Sequence, residues 1–176
     1  MLLDIAPTLA MYQQTGDAFA RAYWHWFFLI QPPPLPEALI DSNPARYVRS
    51  VMGSRHAGLA PFDPAALAEY ERCFGNPDLN EKGWSAAIHS ACEDYRASAT
   101  IDLVHDREGR ERGDKLACDT LVMWGERGVV NRMFKPVELW QAQCAGRVQG
   151  HLMPAGHFIP EELPEATCEA LTAFMV

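Results

Sequence analysis

The run Asp119-Thr120-Leu121-Val122-Met123-Trp124-Gly125 constrains this chain more than any other stretch. It is short, apolar after its first two residues and closed by glycine, the pattern of a strand covered on both faces. Beyond it the chain alternates. Pro136 to Cys144 reads as a helix, Arg147 to Met153 as a second strand, Pro154–Pro160 as a loop, and Glu161 to Met175 as an amphipathic helix with acids in its first turn. Strand alternating with helix implies a parallel sheet with right-handed crossovers, buried on both sides. Leu2-Leu3-Asp4-Ile5 reads like the end of another buried strand, an odd place for a natural protein to begin. Two strands and a stub make an incomplete sheet. The flank of Leu121–Trp124 is therefore expected to be an apolar edge prone to association, and the chain to need further sequence to cover it.

Between these ends the pattern is helical. Asp17 to Ile30 has helical length, with Gly16 or Asp17 available to cap it. Gln31-Pro32-Pro33-Pro34-Leu35-Pro36 ends that helix, because proline lacks the amide donor and disfavours helix in the residue before it. Asn43-Pro44 and Asp63-Pro64 each set a capping residue before a proline at the first helical position, predicting helices over Ala45–Met52 and Ala65–Phe74. A further helix is predicted from Ala86 to about Val104. From Ile5 to Asp114 there is almost no strand signal.

Bulk properties narrow the function classes. The 176 residues carry 23 acidic against 15 basic side chains, a net charge of −8, and no basic cluster, which argues against nucleic acid as a partner. The five cysteines Cys73, Cys92, Cys118, Cys144 and Cys168 are odd in number and never spaced as C-x-x-C. They fit neither a disulfide framework nor a zinc site, and suit a reducing cytoplasm. The longest apolar stretch, Ala22 to Ile30, contains His25 and falls well short of the roughly 20 residues a membrane helix needs. The N-terminus lacks the basic region and cleavage site of a secretory signal.

His157, in Ala155-Gly156-His157-Phe158-Ile159-Pro160-Glu161-Glu162, lies after the last predicted strand, where α/β folds place reactive groups. Gly156 permits close backbone approach there, and the acidic helix start would help hold the loop. A surface histidine is the alternative from these residues alone. Tyr23, Trp24, Trp26, Phe27 and Phe28 read as an aromatic core stripe with His25 buried among them.

Five stretches together resemble the fluoroacetate (haloacetate) dehalogenases, a branch of the α/β-hydrolase fold. They are Leu3-Asp4-Ile5-Ala6-Pro7-Thr8, Ala22-Tyr23-Trp24-His25-Trp26-Phe27-Phe28-Leu29, Cys92-Glu93-Asp94-Tyr95-Arg96-Ala97, Met123-Trp124-Gly125 and Gly156-His157-Phe158. They run in order over nearly the whole chain. The resemblance implies a partial α/β-hydrolase fold: an acid loop over residues 1–15, a helical cap over 16–114, and the last β-α-β-α units of a parallel sheet over 115–176. It implies cofactor-free hydrolysis of a small haloacid, in which a carboxylate displaces halide and a histidine-activated water cleaves the resulting ester. By motif, His157 matches the histidine base and Asp4 the acid that orients it, while His25, Trp26 and Tyr95 match the groups around the leaving halide. A homodimer is the implied assembly.

The departures are specific. The resemblance places the nucleophilic aspartate, its strand-to-helix turn and the arginines for the substrate carboxylate ahead of Asp4, so no nucleophile is expected in this sequence and the chain alone is expected to be inactive. Ser54 in Met52-Gly53-Ser54-Arg55 lacks a nucleophile elbow. Asp119 stands where a proline is expected, and Leu79–Ser85 reads as a small insertion. Glu126, after Trp124-Gly125, competes with Asp4 as the orienting acid. An epoxide hydrolase or esterase, or a non-catalytic helical interaction remnant, are the other readings.

Overall fold

The computed structural model describes residues 1–76 and 85–176; the predicted insertion lies outside them except for Ser85. These residues divide into two compact units, one of 1–15, 55–57 and 104–176, the other of 16–54 and 58–103.

The first unit is built on a three-stranded parallel sheet of β1 (Leu2–Leu3), β2 (Thr120–Gly125) and β3 (Val148–Met153), in the order β1-β2-β3. Register pairs Leu2 with Val122 and Leu3 with Met123 on one side of β2, and Thr120 with Val148 through Gly125 with Met153 on the other. The apolar run is thus the central strand, with Leu121, Val122 and Met123 fully buried. This corrects the expectation of an exposed flank at Leu121–Trp124: β3 pairs along its whole length, β1 covers Val122 and Met123 on the other side, and Leu121 is fully buried, so the outer strands are β1 and β3. β3 also departs from a doubly covered strand, since Gly150, His151 and Leu152 are exposed along it. Leu121, Met123, Met153, Ala155 and Ile159 form the core against one face, joined by Leu3, Leu163 and Phe174.

Short helices complete this unit: α1 (Thr8–Gln13), the C-terminal part of α8 (Ile101–Arg112), α9 (Val129–Met133), α10 (Pro136–Gln141), α11 (Ile159–Glu162) and α12 (Pro164–Met175). α1 and α9 were not predicted, being six and five residues long with no capping side chain. The predicted terminal helix divides at Leu163 (φ −141°, ψ 62°), because Pro164 excludes the helical conformation from the residue before it.

The second unit holds α2 (Asp17–Ala22), α3 (Trp24–Leu29), α4 (Leu35–Asp41), α5 (Pro44–Gly53), α6 (Pro64–Phe74) and α7 (Ala86–Ala99). Asn43 and Asp63 cap α5 and α6 as predicted, accepting from the amides of Arg46 and of Ala65 and Ala66. Each such cap is worth about 1 kcal/mol. The single helix predicted over Asp17–Ile30 is two helices, broken at Tyr23 (φ −115°, ψ 35°). No breaker residue causes this. Tyr23 is buried and stacked on Phe19 at 4.9 Å, so packing outweighs local propensity. The helix predicted from Ala86 breaks at Thr100, whose hydroxyl donates back to the Arg96 carbonyl at 2.6 Å. Leu29, Ile40, Ile88 and Cys92 form this unit's core. Burial pushes the Cys92 thiol up to about 11, leaving it a packing group at neutral pH. No helix among the described residues is long and apolar enough to cross a membrane.

Candidate active site

In a parallel sheet every strand ends on the same side, so the segments leaving β1, β2 and β3 meet there. Asp4 comes directly after β1, Gly125–Gly128 close β2, and Pro154–Phe158 lead out of β3. This topology brings together residues 153 positions apart in sequence: Nδ1–H of His157 donates to Asp4 Oδ2 at 2.7 Å. The other Asp4 oxygen accepts from the Gly125 amide at 3.1 Å. Asp4 is 1% exposed, whereas the His157 side chain remains 30% exposed. Occupying Nδ1 in this way leaves Nε2 with its lone pair, available to take a proton. Phe158 stands edge-on to the imidazole, with ring centroids 4.9 Å apart.

The backbone around the pair is shaped to admit it. Asp4 has φ 46°, in the left-handed region that costs most residues energy. Its amide donates to the Met123 carbonyl at 2.8 Å, and the next carbonyl, of Ile5, accepts from the Trp140 indole at 2.9 Å. A Cβ on Gly125 would overlap the Gly156 carbonyl oxygen, and one on Gly128 would lie 2.9 Å from Asp4 Oδ1. Glycine at both positions is what lets the His157 loop and the carboxylate close on β2. Gly156 itself donates its amide to Glu162 Oε2 at 2.7 Å, so an acid of α11 holds the loop, as the acidic helix start led us to expect.

Glu126 and Ser54 are placed elsewhere. Glu126 is exposed, and the Nδ1 position it competed for is occupied by Asp4. The Ser54 hydroxyl donates to the Val51 carbonyl at the end of α5, with no strand before it. Sequence reasoning passed over Gly128 and Trp140. Only Gly128 carried a local signal, as a glycine shortly beyond the strand end.

In the helical unit, His25 and Trp26 of α3 are both buried, and both meet Tyr95 of α7 edge-on, with centroids 6.0 and 6.3 Å away. Adjacent helical residues point about 100° apart, yet one phenol ring borders both. The aromatic stripe read from the sequence is a core only in part: Tyr23 and Trp26 are buried and pack with Phe19 at 4.9 to 5.7 Å, Phe27 and Phe28 are half-buried, and Trp24 is exposed.

No family model matches the chain. Fluoroacetate dehalogenase of a Burkholderia species is 35% identical over 175 residues, spanning 99% of this chain and 54% of that protein. The crystal structure of a protein of Nostoc sp PCC 7120 assigned to the α/β-hydrolases superposes with a TM-score of 0.88 at 46% identity, covering 99% of this chain and 56% of that one. A Pseudomonas aeruginosa protein described as an epoxide hydrolase, solved as a point mutant with bound MFA, superposes at 0.83 with 34% identity, covering 98% and 55%. The chain spans about half the length of the curated relatives it matches. With a parallel sheet whose strand ends join a histidine to a buried acid, and with this likeness over its whole length, the chain carries part of the α/β-hydrolase fold.

Proposed function

We propose that this chain forms part of a hydrolase that cleaves the carbon–halogen bond of a small haloacid such as fluoroacetate, without cofactor, through an ester intermediate. The observation that carries this is the Asp4–His157 pair at 2.7 Å. In the proposed cycle a carboxylate nucleophile, contributed by residues of the complete protein outside this sequence, attacks the halogen-bearing carbon and expels halide, forming an ester. His157 Nε2 takes a proton from water as that water adds to the ester carbonyl. Asp4 stabilises the imidazolium that results; as the bond between the ester carbonyl and the substrate oxygen breaks, the imidazolium returns the proton to that oxygen, giving the hydroxy acid, and the nucleophile's carboxyl loses its proton to solvent. His25, Trp26 and Tyr95 supply an imidazole N–H, an indole N–H and a phenol O–H to the departing halide. Fluoride leaves carbon poorly, so donors in a dry pocket matter most there.

A second reading, epoxide hydrolysis, is favoured by the likeness to the Pseudomonas protein and uses the same histidine and acid. Fluoride release from fluoroacetate by the complete protein tests the choice. Stoichiometric fluoride with a hydroxy acid product supports dehalogenation; diol formation from epoxides with no halide released overturns it.

A further inference from the structure

Arg96, the residue after Tyr95 on α7, joins three helices of the helical unit. Its Nε and Nη2 both donate to the Gln31 carbonyl, at 3.0 and 2.7 Å. Its Nη1 donates to Glu37 Oε1 at 2.7 Å and to Glu93 Oε1 at 2.5 Å. Gln31 is tied to the last turn of α3, its amide to the Phe28 carbonyl and its side chain to the Phe27 carbonyl. Arg96 therefore holds the end of the helix that carries His25 and Trp26. Glu37, on α4, is 1% exposed, and its Oε1 also meets His89 Nδ1 at 3.2 Å. Arg96 and His89 stand two turns apart on one face of α7, so that helix grips Glu37 twice.

A buried ion pair is a poor way to stabilise a helical unit, since apolar residues of similar size often do as well or better. Here the arrangement is costlier still, because Glu37 Oε2 has no hydrogen-bond partner among the described residues. What the pair supplies is geometry: a planar fork that locks a carbonyl and two carboxylates, which lysine cannot reproduce. Glu37, His89 and Glu93 also have the composition of a metal site. Arg96 Nη1 already bonds an oxygen of each carboxylate, so a guanidinium takes the cation's part.

We infer that Glu37 and Arg96 are positioning residues that fix Tyr95 against His25 and Trp26, and so set the spacing of the halide donors. The inference rests on the dehalogenase reading for its function, though not for its geometry. The test uses Arg96→Lys and the milder Glu37→Gln in the complete protein. Three quantities are read: the near-ultraviolet circular dichroism of the aromatic cluster, quenching of tryptophan fluorescence by sodium chloride and bromide at constant ionic strength, and turnover of fluoroacetate against chloroacetate. Both variants should fold, change the near-ultraviolet spectrum and weaken halide quenching about tenfold. They should lower kcat for fluoroacetate about tenfold and for chloroacetate less, with KM nearly unchanged. If Arg96→Lys does not fold, Glu37→Gln carries the test. A folded variant with the wild-type spectrum and wild-type quenching overturns the inference. A wild type that neither binds nor releases halide overturns the dehalogenase reading instead, and a changed spectrum in the variants then retains the clamp as a device for ring placement alone.

Discussion

The two histidines His157 and His25 are organised by different physics. His157 is held by charge and backbone: one 2.7 Å bond to a buried carboxylate, a glycine under its loop and a glutamate on its neighbouring amide. His25 is held by packing, 6.0 Å from Tyr95 and 5.6 Å from Tyr23 in ring-to-ring contact. The first arrangement declares a direction for proton transfer, because only one imidazole nitrogen is left free. The second declares a shape, and its chemistry depends on what enters beside the rings. A directional site tolerates almost no backbone change, whereas a packed site should degrade by degrees.

The sharpest way to break that contrast is Gly125→Ala. With the new Cβ driven into a backbone carbonyl oxygen, it should cost about 4 kcal/mol or more and release the His157 loop, read as a fall in Tm. Tm within a degree or two of wild type would show that the loop can yield, and the site would be less directional than we hold. His157→Ala should next lower turnover about 10²–10⁴-fold while the ester accumulates on the enzyme, detectable by mass spectrometry of the intact protein. Loss of activity without the ester would move His157 out of the hydrolytic step. Trp26→Phe keeps the packing and removes one N–H donor, so it should cost about 1–3 kcal/mol in halide release with little change in Tm. An equal loss of stability would make the ring a core residue first. Asp63→Ala, remote from both sites, should cost about 1 kcal/mol of stability through the lost cap and leave turnover unchanged.

The smallest effect on stability concerns the titration of Glu37. Burial raises its pKa, but the bonds from Arg96, its own backbone and His89 outweigh this and hold its carboxyl below the ordinary 4.5. Its stabilising contribution is therefore complete above pH 4.5 and is lost as pH falls through the lower folded value. Glu37→Gln should flatten the acid limb of a plot of Tm against pH; an unchanged limb would mean that other carboxylates govern it.

Much of this was legible beforehand, for reasons specific to each segment. The run Leu121–Trp124 announced a buried parallel strand because it is continuously apolar on both faces and closed by glycine, and Asn43-Pro44 and Asp63-Pro64 announced helix starts because capping is a local hydrogen bond. The breaks at Tyr23 and Thr100 were hidden: one arises from stacking on Phe19, the other from a hydroxyl choosing its own helix carbonyl. α1 and α9 were hidden by brevity. The partners of the site were legible as residue types, His157 after a strand and Asp4 at the end of another.

By itself, the sequence determined the alternation of strand and helix, the capped helix starts and which acids and histidines stood near strand ends, since all of these depend on neighbours within a few positions. The tertiary structure alone decided that Asp4 rather than Glu126 holds His157, that β2 is the central strand, and that Arg96 ties α3, α4 and α7 together. Those outcomes turn on parallel register, on the space left by Gly125 and Gly128, and on contacts between residues as far apart as Asp4 and His157, which local chemistry cannot encode.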